Sequence, residues 1–533
     1  TALMQGKTVL FSSRNHQAID EVEKRLQNLV PDVPFVLRAR DAEGDRDTSF
    51  LDELKNLAMS DVSNSETVDM DEVCSIAARR QEVTAKRRKM DKLHLSLSEY
   101  AERRLRILEN LVELTRYSFW TRLQNFIKNI LNIGVKFDGK LQDDTSLFEL
   151  DLRIKNDTKA LLSLEPADNF SAEEEKQLQA SVQDVLPKIT KQSVGLSQSE
   201  REQFASRYRE LKFSGAKSIK NLDRSDAENI LRHRPVWAVT TLSVAKRIPL
   251  HPALFDYVIF DEASQCDLAS ALPLMARARS AVVVGDPEQL TFIPGLGRQQ
   301  EHALMDAAKL PQAQRADFAQ SINSLFDFCD GRSGSTRVML RDQFRSAPAI
   351  VDYLNGDFYA GKLIGQKDGE SFVAPTGYKP GLSWENVTGS CMRIPEGGAI
   401  NEEEANAISK LVSSIAQDKN FKGSVGILSP FNAQVGILKQ QISKTISTDV
   451  RDRLGLRVST VDRFQGGEAD VIIFSLVITN GAPHSATTFL KKERRRLNVA
   501  ISRARALCIV VGNLAYAKNC GISHIEFLAK RAS

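Results

Sequence analysis

Two apolar runs that end abruptly in acid constrain this chain more than any other feature. Val258-Ile-Phe runs into Asp261-Glu262-Ala-Ser264, and Val282-Val-Val runs into Gly285-Asp286-Pro-Glu-Gln289-Leu290. A short all-apolar run fits a parallel strand buried on both faces, and doubly wound sheets bind ligands at the carboxyl edge of such strands. The acids therefore stand where an α/β sheet meets its ligand. An Asp-Glu pair there suits metal–nucleotide chemistry: one carboxylate holds Mg²⁺ through its water shell and the next polarises an attacking water. On these residues alone, a solvated acidic turn after a core strand is an equal reading.

At 533 residues the chain is too long for one core, so several domains are expected. A mean hydropathy of −0.28 describes a globular protein. The net charge of +4 neither demands nor excludes a nucleic-acid partner. The six cysteines are scattered without a Cys-x-x-Cys, which fits reduced thiols and a cytoplasmic location better than a disulfide or zinc framework. The longest apolar run, Val471–Ile478, is far too short to span a bilayer, and no membrane role is expected. The N-terminus carries no signal pattern and no initiator Met, so a fragment of a longer chain is expected.

The periodicity divides the chain. Residues 1–51 read as strand, helix, strand: Val9–Phe11, then a stripe of Ile19, Val22, Leu26 and Leu29, then Phe35–Leu37. Residues 52–233 lose their strand signals. Leu105, Leu108, Val112, Phe119, Leu123, Phe126 and Ile130 predict a long amphipathic helix, Ser171-x-x-Glu174 and Ser225-x-x-Glu228 predict capping boxes, and Pro166 and Pro187 predict breaks. This is a helical insertion of about 180 residues, longer than any ordinary loop. Its basic clusters, Arg79-Arg80 and Lys86–Lys89, read first as a solvated helix face and second as a nucleic-acid contact. Strands return over 234–330, at Val236–Val239, Tyr257–Phe260 and Ala281–Val284. The polar, Gly-containing stretch 327–336 reads as a boundary. Residues 331–533 then form a second α/β domain with strands at Val338–Leu340, Val425–Leu428, Val458–Val461, Val471–Val477 and Leu507–Val511, and a helix over 402–416 capped by Asn401.

Further blocks share this order. Ser12-Ser13-Arg-Asn15 follows the first strand, and Leu340-Arg-Asp-Gln343-Phe-Arg345 opens the second domain. Ser429-Pro430-Phe-Asn432, Thr460-Val-Asp462-Arg-Phe-Gln465-Gly466-Gly-Glu468 and Arg496-Leu-Asn498-Val-Ala-Ile-Ser-Arg503-Ala-Arg505 follow. Together with the two acidic blocks they resemble superfamily 1 helicases, in the 5′-to-3′ branch that includes the nonsense-mediated-decay helicase and the nuclease-helicases of Okazaki-fragment processing. The resemblance covers residues 1–50 and about 236–515. It implies two RecA-like parallel-sheet domains of the P-loop NTPase type, the first interrupted by the insertion, with ATP between them. It implies that Asp261 holds Mg²⁺, Glu262 orients the water, Gln289 senses the γ-phosphate, and Arg345 and Arg503 act as arginine fingers. Guanidinium suits that task because it is planar, always charged and forks onto phosphate oxygens. It also implies nucleotide contacts from Gln343, Gly466 and Glu468.

Simpler readings stand beside these roles. Arg505 reads equally as a finger or as an ion-pair partner, Gln465 and Gly466 as shapers of a turn, and Asp286 as a cap. Single-stranded nucleic acid is expected across both domains at Ser13, Asn15, Thr241, Ser429, Pro430, Asn432 and Thr460, which follow strands and reach phosphates without reading sequence; these residues also suit turns. DNA is favoured over RNA as the track, and a monomer over an oligomer.

One block departs from the family. A phosphate-cradling Gly-x-x-x-x-Gly-Lys-Ser/Thr loop is expected before the first strand. Gly6-Lys7-Thr8 does not supply it, because the first Gly would fall at Thr1 and the Lys-Thr pair leads into a strand instead of opening a helix. The loop is expected upstream of Thr1, and this chain is expected to be inactive without it. The overall reading is a helicase or translocase motor. The alternatives are a non-catalytic RecA-like binding module, a translocase that separates no duplex, and a motor that serves a nuclease. Retention of Asp261, Glu262, Arg345 and Arg503 speaks against the binding module.

Overall fold

Apolar runs with no polar face fold here into parallel strands. The computed structural model describes residues 2, 5–31, 33–39, 50–60, scattered positions between 73 and 159, 172–214, 222–292, 294–330, 332, 336–394, 398–464 and 466–532. A first five-stranded parallel sheet has the order β2-β3-β1-β4-β5, built from β1 (Val9–Ser13), β2 (Val36–Arg38), β3 (Val236–Thr240), β4 (Phe255–Asp261) and β5 (Ala278–Val283). In this register Ser13 lies beside Thr240 on one side and Asp261 on the other. The carboxyl ends of three strands thus share one edge.

One face of this sheet is well covered. Leu10, Trp237, Phe255, Val258 and Phe260 pack with helices Phe50–Met59, Gln198–Phe213, Arg224–His233 and Leu268–Met275. Trp237 is fully buried between Phe50 and Phe255, with ring centroids at 4.9 and 5.2 Å, and its indole N–H donates to the Arg234 carbonyl at 2.8 Å. The buried Glu53–Arg234 ion pair (2.7 Å) ties helix Phe50–Met59 to the turn before β3. The opposite face carries helix His16–Leu29, whose Ile19 packs on Phe11 and Ala238. That helix does not cover β5: Arg279 to Val282 are exposed, and Val282 and Val284 keep 44% and 41% of their surface.

The second sheet has the order β12-β11-β13-β14-β8, again all parallel, from β8 (Gly381–Asn386), β11 (Val425–Ser429), β12 (Arg457–Thr460), β13 (Ala469–Ser475) and β14 (Ala504–Gly512). Alternate side chains serve opposite cores, as the strand period requires. Val471, Ile473, Leu507, Ile509 and Val511 pack under helices Glu402–Gln417 and Asn432–Thr445. Ile472, Phe474, Cys508 and Val510 pack against helices Pro348–Leu354, Arg494–Ser502 and Ser523–Ala532. Two short strand pairs complete the strands among the described residues: β6 (Asp342–Gln343) with β7 (Ile364–Gly365), and β9 (Met392–Arg393) with β10 (Ala399–Ile400). No helix among the described residues is long and apolar enough to cross a membrane.

Four local expectations are corrected. Val338–Leu340 is not a strand; no described strand lies beside it, and Val338 and Leu340 are largely exposed. Pro187 does not break a helix but lies inside helix Ala172–Val194. Val185 and Ile189, packed on Val73 and Ile76, hold that helix across the hydrogen bond the proline cannot make. Helix Arg224–His233 is capped by Asp223, whose carboxylate accepts from the Asp226 N–H at 2.8 Å, so Ser225 lies within the helix. The stretch expected as a boundary begins inside a short helix, Leu325–Cys329, capped by Ser324. The helix expected over 105–130, the Ser171 cap, Pro166 and the Lys86–Lys89 cluster lie outside the described residues.

Candidate functional site

β4 delivers the acidic pair to the shared edge. Asp261 is its last residue, and Glu262 follows in the left-handed region at φ 54°. A non-glycine residue there costs about 1–2 kcal/mol. Its neighbours hold it: the Ala263 N–H donates to the Val284 carbonyl at 2.8 Å, and the Gln265 amide donates to Glu262 Oε2 at 2.9 Å. Burial pushes both carboxyls above their usual range. For Asp261 a backbone hydrogen bond at Glu262 offsets part of this; for Glu262 the neighbouring Asp261 adds to it while the Arg503 charge opposes it. These are carboxylates taken from water without a cation of equal weight beside them.

The next loop is stapled to this turn. Ser264 Oγ donates to the Asp286 carbonyl and accepts from the Asp286 N–H, both at 2.9 Å. A Cβ on Gly285 would fall 2.7 Å from Phe326 and 2.9 Å from Ser264 Oγ, so only glycine allows this approach. Asp286 accepts from the Glu288 N–H at 2.9 Å and from the Gln289 amide at 3.0 Å, as a turn cap would.

The second sheet meets this edge with its amino end. Arg503 stands just before β14 and is 3% exposed. Its Nη2 donates to Gln289 Oε1 at 3.1 Å, while its Nε has no hydrogen-bond partner among the described residues. Burial first, and then the nearby Arg345 charge, lower its pKa to about 10 against the opposing charge of Glu262. It remains a cation at neutral pH. Arg345 donates from Nε to Glu468 Oε2 at 2.6 Å, and Arg505 binds the other oxygen of the same carboxylate and approaches Asp470 at 3.6 Å. Burial pushes the Glu468 carboxyl up, but the hydrogen bond from Arg505 and the charges of both arginines prevail and hold it below its usual value. Arg505 thus has the ion-pair geometry of its simpler reading.

A cavity of about 930 Å³ opens beside this cluster, lined by Gln343, Phe344, Arg345, Glu468, Asp470 and Arg505, with Lys367 and Lys422 among its cations. The Gln343 side chain accepts from the N–H groups of Arg345 and Ser346 at 3.2 and 3.0 Å, which fixes the turn that aims Arg345. Phe344 offers an aromatic ring, 61% exposed, that sequence reasoning passed over; its signal was its place between two residues already singled out. Gly466 does not line this cavity. It adopts φ +79°, and a Cβ there would lie 3.5 Å from the Asn15 amide nitrogen of the first domain.

The candidate strand-binding residues divide by exposure. Ser13, Thr241, Ser429, Pro430 and Thr460 are buried, and hydroxyls among them serve internal bonds: Thr241 with Ser12 at 3.1 Å, Ser13 with the Asn15 N–H at 3.3 Å. Asn15, which caps helix His16–Leu29, and Asn432, which opens helix Asn432–Thr445, are exposed. Lys7 and Thr8 sit at the far edge of the first sheet. Lys7 pairs with Asp256 at 3.6 Å and the Thr8 N–H donates to Asp256 at 3.0 Å. Asp256 is the second residue of β4 and Asp261 the last, so the two ends are about 16 Å apart.

Known proteins share these features. Two family models, each described as an AAA domain, match residues 1–292 and 322–515. The chain is 27% identical over 312 residues to "Regulator of nonsense transcripts 1 homolog" of Arabidopsis thaliana, an alignment that covers 57% of this chain and 23% of that protein. It is 30% identical over 270 residues to "5'-3' DNA helicase ZGRF1" of Mus musculus, covering 50% and 13%. It is 26% identical over 317 residues to "Helicase sen1" of Schizosaccharomyces pombe, covering 57% and 17%. The chain thus spans less than a quarter of the length of each of these relatives.

Proposed function

The chain belongs to the superfamily 1 helicases, in the 5′-to-3′ branch, and from that premise we propose that it couples ATP hydrolysis to movement along a single nucleic-acid strand. The observation that carries the proposal is Arg503. It is a buried guanidinium from the second sheet that reaches Gln289 of the first, feels the charge of Glu262, and leaves its Nε unspent among the described residues. A cation buried with donors to spare suits an anionic ligand between the sheets.

In this reading the triphosphate lies between the acidic edge and the arginines. Arg503 and Arg345 place positive charge on the transferred phosphoryl group, Glu262 accepts the proton of the attacking water, and Gln289 touches the γ-phosphate. Arg345 leaves Glu468 for the phosphate, which frees Glu468 for the ribose hydroxyls and leaves Gln343 to fix the turn. Phe344 supplies a face for a base. Two adjacent half-buried carboxylates fit Mg²⁺, which takes one or two carboxylates and otherwise waters and phosphate oxygens. Asp261 would hold it, and it would neutralise phosphate charge. We assign Gly466 to the closing surface between the domains, beside Asn15.

Asn15, Asn432 and the N–H groups at their helix starts are the proposed strand contacts, with Ser13, Thr241, Ser429, Pro430 and Thr460 shaping the turns that present them. Such contacts give a marked salt dependence and little sequence preference. DNA is taken ahead of RNA, since the mouse relative is named a DNA helicase. A monomeric, cytoplasmic motor, divided at residues 52, 234 and 331, completes the reading.

The free edge of β5 belongs to the same proposal. Val282 and Val284 lie bare there, and the apolar Val338–Leu340 segment lacks a strand partner among the described residues. A further parallel strand, ending in the phosphate-binding loop, would pair with β5. The test of the whole reading is ATP turnover by the full-length protein with and without single-stranded DNA or RNA, beside Glu262→Gln. Strand-stimulated turnover that collapses in the variant is expected; turnover untouched by Glu262→Gln would overturn the assignment.

A further inference from the structure

The loop Asp286–Leu290 belongs to the first domain but is held by the second. Leu290 is buried within the apolar cluster on one face of the second sheet. Tyr359 donates its hydroxyl hydrogen to Asp286 Oδ2 at 2.6 Å. The same hydroxyl accepts from the Asn498 amide at 3.0 Å, and that amide also donates to the Glu288 carbonyl at 2.8 Å. Asn498 is fully buried, so its orientation is fixed by these partners. On the other side of the loop, Asp286 Oδ2 accepts from the Gln289 amide and Gln289 accepts from Arg503. The result is a continuous relay, Asn498–Tyr359–Asp286–Gln289–Arg503, that begins and ends on the second domain and passes through the first.

Tyr359 is built to hold its place. It ends a wide helical turn, Asn355–Tyr359, in which the chain makes π-type hydrogen bonds, and Ala360 follows in the left-handed region at φ 50°. Wide turns of this kind are costly and recur at functional positions. Asn355 locks the following loop by exchanging two hydrogen bonds with Leu363, both at 2.9 Å. The Arg494 guanidinium lies over the adjacent Phe358 ring at 4.6 Å and approaches Glu288 at 3.6 Å.

We propose that Tyr359 is a positioning residue that, through Asp286, sets Gln289 against Arg503 and so links the closure of the two domains to turnover. The inference rests on the motor reading above. A hydroxyl bonded to a carboxylate is directional, and Asp286 Oδ2 cannot keep both Tyr359 and Gln289 if the second domain swings away. Opening the domains breaks the Tyr359–Asp286 and Arg503–Gln289 bonds and leaves Asp286 and Gln289 held only by each other, and closing them restores both.

The test is Tyr359→Phe in the full-length protein, which removes one hydrogen bond and keeps the ring. Three readouts are taken: melting temperature, ATP turnover with and without a single-stranded DNA oligonucleotide, and amide exchange of residues 286–290 without nucleotide. The expected result is an unchanged melting temperature, KM and unstimulated turnover within about twofold, stimulated kcat reduced about tenfold, and faster exchange in the loop. In an Asp286→Ala background, Tyr359→Phe should add nothing. An equal fall in stimulated and unstimulated rates with a lower melting temperature would make the contact merely structural and overturn the proposal, as would unchanged exchange. If the wild-type protein shows no strand-stimulated hydrolysis, the motor reading falls, and loop exchange still decides whether Tyr359 holds Gln289.

Discussion

The two sheets use the same parallel grammar but finish it differently. In the second, every residue of β14 except Arg505 is buried, and separate apolar clusters cover both faces. In the first, one face is packed as densely, while β5 at the end of the other face stands open. The proposed chemistry sits on the less finished sheet: Asp261, Glu262 and Gln289 belong to the first, and the second brings Arg503 to Gln289. The difference teaches that dense packing and the proposed reactive edge are divided between the sheets. A rigid second sheet can hold Arg503 without water around it, while the first keeps an edge and a strained turn available for ligand.

Three measurements sharpen or break that comparison. The largest effect concerns the open edge: the 533-residue chain alone should hydrolyse no measurable ATP, because its sequence holds no Gly-x-x-x-x-Gly-Lys-Ser/Thr pattern and Lys7 is held at the wrong edge by Asp256. Vigorous strand-stimulated hydrolysis by this chain would mean that the first sheet is functionally complete. Next, Arg503→Ala in the full-length protein should lower ATP turnover by about 10³ or more, the scale of a lost arginine finger. Near-normal turnover would return all the chemistry to the first sheet.

The smallest effect probes the interior of the second sheet. Glu404 is fully buried and accepts from Ser475 Oγ at 2.7 Å, the Val477 N–H at 2.9 Å and the Asn401 amide at 3.1 Å. Burial still dominates and raises its pKa to about 8. Between the ordinary carboxyl value and pH 8 the folded state therefore binds more protons than the unfolded state, and stability falls as pH rises, by a few kcal/mol on the order of the shift. The melting temperature should decline from about pH 5 to pH 8, and Glu404→Gln should flatten that decline. A profile with equal slope in both proteins would assign the pH sensitivity elsewhere.

Much of this was legible in the sequence for a physical reason. Parallel strands buried on both faces are continuous apolar runs, so β1, β3, β4, β11, β13 and β14 could be read directly. The Asn401 cap was legible because a cap is local: its side chain accepts from the Glu404 N–H three residues on. What failed depended on distant partners. Val338–Leu340 has the composition of a strand but no described neighbour to pair with, and Pro187 is tolerated because Val73 and Ile76 hold its helix from outside. At the site, the order of the blocks pointed to Glu262, Gln289 and Arg503, which the fold brings together, but not to Arg345 and Arg505 sharing Glu468. Tyr359 gave no signal at all, because its partner Asp286 lies 73 positions away.

The left-handed backbone at Glu262 has a consequence for how such a protein could be engineered. Glycine or asparagine accepts that conformation more readily than glutamate, and either would remove a carboxylate that burial already disfavours. Both changes relieve the fold. A selection for heat resistance alone would therefore drift toward losing the one side chain proposed to activate water, and would deliver a sturdier protein that turns nothing over. Variant libraries of this chain must be screened for turnover as well as for survival, because at position 262 the two demands point in opposite directions.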